Sequence, residues 1–104
     1  MNSALVNTLQ VSQTVIADFC QRHHIQKLSL FGSALRQDFN PNSDIDILVE
    51  FMPNHIPGLI RFAGMELELS EIFNRKVDLR TAEDLSPYFR QEVINSAIEQ
   101  YVYN

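Results

Sequence analysis

The sequence predicts an α/β fold in which helices cover a small sheet. Three observations carry that prediction. Long stretches place apolar residues at spacings of three and four, the period of a helix with one buried face. Short stretches alternate apolar and polar residues, the period of a half-buried strand. The two kinds of stretch alternate along a chain of 104 residues, a length that suits one domain, 1–104, with a single modest core.

The elements follow in order. Residues 3–22 read as a helix, because Leu5, Leu9, Ser12, Val15, Ile16 and Phe19 fall on one face. Lys27 to Phe31 reads as the first strand, followed by Gly32-Ser33, where a short helix can open. Asn40-Pro41-Asn42-Ser43 is a turn cluster. Asp44 to Phe51 is the second strand, with Ile45, Ile47, Val49 and Phe51 on its buried face. Pro53 to Gly58 breaks the chain. Residues 59–73 form a second long helix with Leu59, Phe62, Met65, Leu69, Ile72 and Phe73 in one stripe. Lys76 to Arg80 is a third strand with Val77 and Leu79 inward. Ser86-Pro87 reads as an N-cap with proline at the first helical position, opening a last helix over about 87–100. The period alone does not fix strand order.

Composition narrows the function. The chain is 45% hydrophobic and 20% charged, ordinary for a globular domain. A net charge of −5 without any Lys/Arg cluster argues against direct nucleic-acid binding. The single cysteine, Cys20, has no internal partner and fits a small core residue in a reducing, cytoplasmic setting. The N-terminus lacks the pattern of a signal peptide, and no apolar run approaches a membrane span.

The chemistry concentrates between Leu28 and Phe51. An apolar strand runs into Gly32-Ser33, and ten residues later the next strand opens with Asp44-Ile45-Asp46. Alternate strand residues share a face, so Asp44 and Asp46 point the same way, roughly 7 Å apart at Cα. Two carboxylates so close repel unless a cation lies between them. An oxygen-only donor set suits Mg²⁺, which completes its shell with water and substrate phosphate. Gly32 lets an anion approach the backbone, and Ser33 adds a hydroxyl and an N–H.

This pattern resembles the nucleotidyltransferase superfamily that includes polymerase beta. The signature there is hydrophobic-Gly-Ser, a spacer of about ten residues, then Asp-hydrophobic-Asp, matched by Phe31-Gly32-Ser33 and Asp44-Ile45-Asp46. The chain is most similar to the minimal nucleotidyltransferases, the antitoxin half of HEPN–MNT toxin–antitoxin pairs, with Arg36, Asp38 and Ser43 in register. Leu35 and Gln37 depart from the usual Ala and Gly of that branch. The resemblance implies a mixed sheet of the polymerase-beta palm type. It implies two Mg²⁺ ions held by Asp44, Asp46 and a third acid, Asp78, with Gly32, Ser33, Arg36 and Ser43 toward the nucleotide. It also implies ATP as donor and a tyrosine hydroxyl of a HEPN ribonuclease toxin as acceptor, so that AMP addition silences the toxin.

Each residue has a plainer reading. Asp78 alone would be an exposed edge-strand acid paired with Lys76 or Arg80; only beside Asp44 and Asp46 does a metal role prevail. Arg36 could meet a triphosphate or pair with Asp38. Ser43 fits a turn cap, and Glu50 faces solvent. Tyr101 and Tyr103 fit packing of the tail. Residues 79–104 leave little room for an acceptor domain, so the acceptor site would come from a second copy or another protein. A binding-only antitoxin and an enzyme acting on a small molecule such as an aminoglycoside are the alternatives.

Overall fold

The computed structural model describes residues 11–40 and 42–104, and it realises the alternation as a four-stranded sheet with helices. The first helix, α1, runs Gln13–Arg22, and the first strand, β1, runs Ile25–Phe31. A 3₁₀ turn over Gly32–Leu35 leads to β2, Ile45–Phe51. Helix α2, Leu59–Phe73, crosses over to β3, Val77–Arg80. A 3₁₀ turn over Ala82–Asp84, helix α3 at Arg90–Ser96 and strand β4 at Ile98–Val102 complete the chain.

The strand order is β3-β2-β1-β4. β1 pairs antiparallel with both β2 and β4, and β2 pairs parallel with β3. The sheet is therefore mixed, as expected. The parallel pair requires the α2 crossover, since parallel strands cannot be joined by a tight turn. α2 ends where Asn74 adopts the left-handed conformation (φ 54°) that stops a helix.

One sheet face is dry. Leu28 and Leu30 of β1, Ile45, Ile47 and Val49 of β2, and Val77 and Leu79 of β3 are buried there. They pack with Ile16, Phe19 and Cys20 of α1 and Met65, Leu69 and Phe73 of α2. Burial pushes the Cys20 thiol up to about 12, so it behaves as a small apolar core residue. Tyr101 of β4 packs on this core, whereas Tyr103 is exposed, its backbone N–H donating to the Gln26 carbonyl and its own carbonyl accepting from Gln26 Nε2 at 3.3 Å.

Three expectations need correction. The single helix over 3–22 does not hold: Ser12 is the N-cap of α1, its hydroxyl accepting from Val15 N at 3.2 Å. Ser12 thus caps the helix rather than joining its stripe; residues 3–10 of the expected helix, and Pro41 of the expected turn cluster, lie outside the described residues. The last helix is not 87–100. α3 begins at Arg90: the Ser86 hydroxyl accepts from Tyr88 N at 3.3 Å and its carbonyl from Phe89 N and Arg90 N, which forms a turn before the helix. Ile98–Val102 is a strand, because β1 otherwise leaves an unpaired edge over the dry face.

Candidate active site

The two halves of the Gly-Ser/Asp-x-Asp motif meet at the mouth of the β1–β2 pair. Register places Phe31 opposite Asp46 and, on the other side of β2, Asp46 beside Asp78. Gly32 takes φ +59°, a left-handed conformation that favours glycine. A Cβ there would collide with Asp46 Oδ2 and come within 3.2 Å of its Cγ. Gly32 therefore makes room for a carboxylate of its own chain, a stronger requirement than the phosphate approach expected from sequence.

Ser33 is similarly committed. Its backbone N–H donates to Asp46 Oδ2 at 2.9 Å, and its hydroxyl donates to the Asp44 carbonyl at 2.6 Å. The turn thereby fixes the position of both halves of the Asp-x-Asp unit. Ala34, buried behind them, anchors the 3₁₀ turn in the core.

Asp44 lies one residue before β2 and is half-exposed, its Oδ2 3.9 Å from Lys76 Nζ. Asp78 is partly buried on β3, an edge strand, and both its oxygens are engaged by Arg80, at 3.0 Å from Nε and 3.3 Å from Nη2. Among the described residues, no three acidic, imidazole or thiol groups converge tightly enough to hold a metal ion as they stand. The chemistry of the donor set nonetheless fits a hard divalent cation: Asp46 and Asp78 are register neighbours, with Asp44 two residues upstream, and all are oxygen donors.

Ser43 shapes the turn, its hydroxyl accepting from Asn40 N at 3.0 Å. Arg36 is exposed, and among the described residues no ion pair joins it to Asp38. Glu50 is exposed, as expected. Sequence reasoning gave Arg75 no role. Its guanidinium donates to the carbonyls of Asn40 (3.1 Å) and Ser43 (3.3 Å) and lies 5.1 Å from the centroid of the Phe39 ring. It ties the spacer loop of the motif to the start of β3. No local pattern marks Arg75, because its partners are more than thirty residues away.

Beyond the carboxylates, the second sheet face carries a groove of about 570 Å³. Ser29, Leu48 and Glu50 floor it, and Thr81, Ile94 and Ile56 help wall it. Leu48, which lines the groove, is two residues from Asp46 on β2 and pairs with Arg80. Ile56, which also lines the groove, and Leu59 and Ile60 are strongly exposed.

Comparison with known proteins accounts for this arrangement. The model of the family described as "Nucleotidyltransferase domain" matches residues 13–101. The protein adenylyltransferase MntA of Thermococcus cleftensis is 30% identical over 78 residues, covering 75% of this chain and 77% of that protein. A solved structure provisionally named a minimal nucleotidyltransferase superposes with TM-score 0.71 at 29% identity, covering 88% of this chain and 92% of that one. A Shewanella oneidensis MNT antitoxin complex with a tri-AMPylated HEPN toxin shares the fold, with TM-score 0.64 at 21% identity over 91% of this chain and 73% of that one. The family match spans every described element from α1 into β4 and includes the Gly-Ser turn, the Asp-x-Asp strand and Asp78, so the chain belongs to the nucleotidyltransferase family, in its minimal branch.

Proposed function

We propose that this protein is an antitoxin that transfers AMP from ATP to a tyrosine hydroxyl of a HEPN-type ribonuclease toxin and so neutralises it. The observation that carries this reading is the pinning of the Gly32-Ser33 turn onto Asp46, beside Asp78. A turn held this rigidly presets where a nucleotide's phosphates and the carboxylates meet, and phosphoryl-type transfer depends chiefly on such positioning.

Asp44, Asp46 and Asp78 would hold two Mg²⁺ ions. Bound Mg²⁺ would supply charge neutralisation at the transferred phosphate. Gly32, Ser33 and exposed Arg36 border the space for the triphosphate. The acceptor oxygen attacks the α-phosphorus in line. The bond from that phosphorus to the α–β bridging oxygen breaks, and pyrophosphate leaves with the electron pair. Asp78, the acid on the edge strand, would take the hydroxyl proton. The groove beside β2 would offer the acceptor an approach, and exposed Ile56, Leu59 and Ile60 would offer the partner a contact outside the chemistry.

The test is label transfer. With ATP labelled on the α-phosphate and Mg²⁺, a co-expressed HEPN toxin should acquire AMP on tyrosine, read by mass spectrometry. Asp44→Ala/Asp46→Ala should abolish labelling while leaving the two proteins associated. If that double variant neutralises the toxin as well as wild type does, neutralisation is by contact alone.

A further inference from the structure

Arg80 has no part in the transfer described above, yet it makes the closest ion pair in the site. Its planar fork meets both oxygens of Asp78, at 3.0 and 3.3 Å, a bidentate geometry that specifies orientation as well as charge. The two residues are two apart on one strand and so share a face. Asp78 in turn lies beside Asp46 in parallel register, at the ~4.8 Å spacing of neighbouring strands. Two like charges at that separation are unfavourable without a compensating cation. Arg80 supplies one.

Both Asp78 oxygens are engaged by its own strand neighbour, and among the described residues no three acidic groups converge on a cation site. Lys76 is no equivalent for Asp44: it makes a single contact at 3.9 Å and is 76% exposed. We propose that Arg80 is a competing counterion for Asp78, holding this carboxylate when no divalent cation is bound and yielding it when one enters. The strength of the pair then sets how much cation the protein needs. This inference rests on the reading of Asp78 as a cation ligand.

The pair is built to open. Arg80 is 46% and Asp78 38% exposed, and exposed pairs of this kind shift an equilibrium by only about two- to fivefold.

Mn²⁺ binding to the intact protein, followed by electron paramagnetic resonance with a non-hydrolysable ATP analogue present, tests the competition without relying on activity. Arg80→Ala should bind Mn²⁺ about two- to fivefold more tightly than wild type. Arg80→Lys, with the charge but not the fork, should fall between them. Lys27→Ala removes a positive charge elsewhere on the same face and should change little. In an Asp78→Asn background, Arg80→Ala should give no further gain. Equal or weaker binding by Arg80→Ala overturns the inference, as does an equal gain in Lys27→Ala or a gain that persists in Asp78→Asn. If wild type binds Mn²⁺ and Arg80→Ala matches it, the inference falls alone. If none of the proteins binds Mn²⁺ with nucleotide, the inference falls together with the metal reading of the site.

Discussion

The two faces of the sheet follow opposite rules, although the same strands build both. Along β2, Ile45, Ile47 and Val49 are almost fully buried, while Asp46 and Leu48 between them are partly open and Glu50 is exposed. The first set packs under α1 and α2. Of the second set, Leu48 and Glu50 line a groove whose other residues include Ile94 of α3 and Ala82 and Glu83 of the Ala82–Asp84 turn. One face stores the hydrophobic free energy that holds the fold together. The other carries acidic groups at strand-neighbour spacing, an arrangement that contributes nothing to stability and makes sense as a site. Stability and chemistry are thus separated by a period of two.

The sharpest way to break this comparison is to truncate adjacent residues of β2. Ile47→Ala removes a fully buried side chain and should lower unfolding stability by about 2–5 kcal/mol in chemical denaturation. Asp46→Ala, one residue away, should change stability by less than about 1 kcal/mol, since lost repulsion offsets the lost Ser33 contact. Its adenylyl transfer should nonetheless fall by more than about 100-fold. Comparable destabilisation by both variants would show that the faces are not separated in this way.

Gly32 is the place where the two faces are joined, and a double-mutant cycle sharpens the comparison there. Gly32→Ala must hold φ +59°, which costs roughly 1–2 kcal/mol for a residue with a Cβ. It must also displace Asp46 Oδ2. We expect a total loss of about 2–3 kcal/mol in thermal or denaturant unfolding. In an Asp46→Ala background the collision is gone and only the backbone strain remains, so the second loss should be smaller by about 1 kcal/mol. Strict additivity would mean that the glycine serves the turn alone and not the carboxylate.

The same contrast explains what could be read from the sequence. The β1–turn–β2 segment was legible because its meaning is local: an alternating strand, a Gly-Ser pair and two acids one residue apart state both the fold and the chemistry. α2 was legible to the residue, since a long stripe has few competing readings. The region after Pro87 was not. Ile94, Ile98 and Tyr101 fit a helical stripe as well as they fit α3 followed by a strand, and only the unpaired edge of β1 decides for β4. Such a decision is tertiary and leaves no mark on the segment itself. At the site, Asp46 and Asp78 fall side by side in the sheet with Asp44 two residues upstream, but the contacts of the turn were not legible. That Gly32 and Ser33 serve Asp46 depends on a contact across thirteen residues whose geometry no spacing rule states.

The dry face also has a polar clasp at its rim, and here the smallest effect is expected. Arg22 and His23 at the end of α1 both reach Glu68 on α2, with His23 Nε2 2.9 Å from Glu68 Oε1. The Arg22 guanidinium, and then the His23 contact, hold the Glu68 carboxyl below the usual glutamate range against the opposing effect of its partial burial. A carboxylate whose folded value is depressed stabilises the fold above its unfolded value, about 4.3 for glutamate, and loses that contribution as pH falls through the folded value. Glu68→Gln should therefore cost about 0.5–1 kcal/mol at pH 7, the scale of a partly exposed pair. The gap between variant and wild type should close as denaturation curves are collected at successively lower pH, below about 4. Nucleotide transfer should be unaffected, because Glu68 lies on the helix-covered side. A gap that stays constant into acid would assign the clasp to packing of the side chains, with the charge contributing nothing. Lost transfer in Glu68→Gln would show that the two faces are coupled after all.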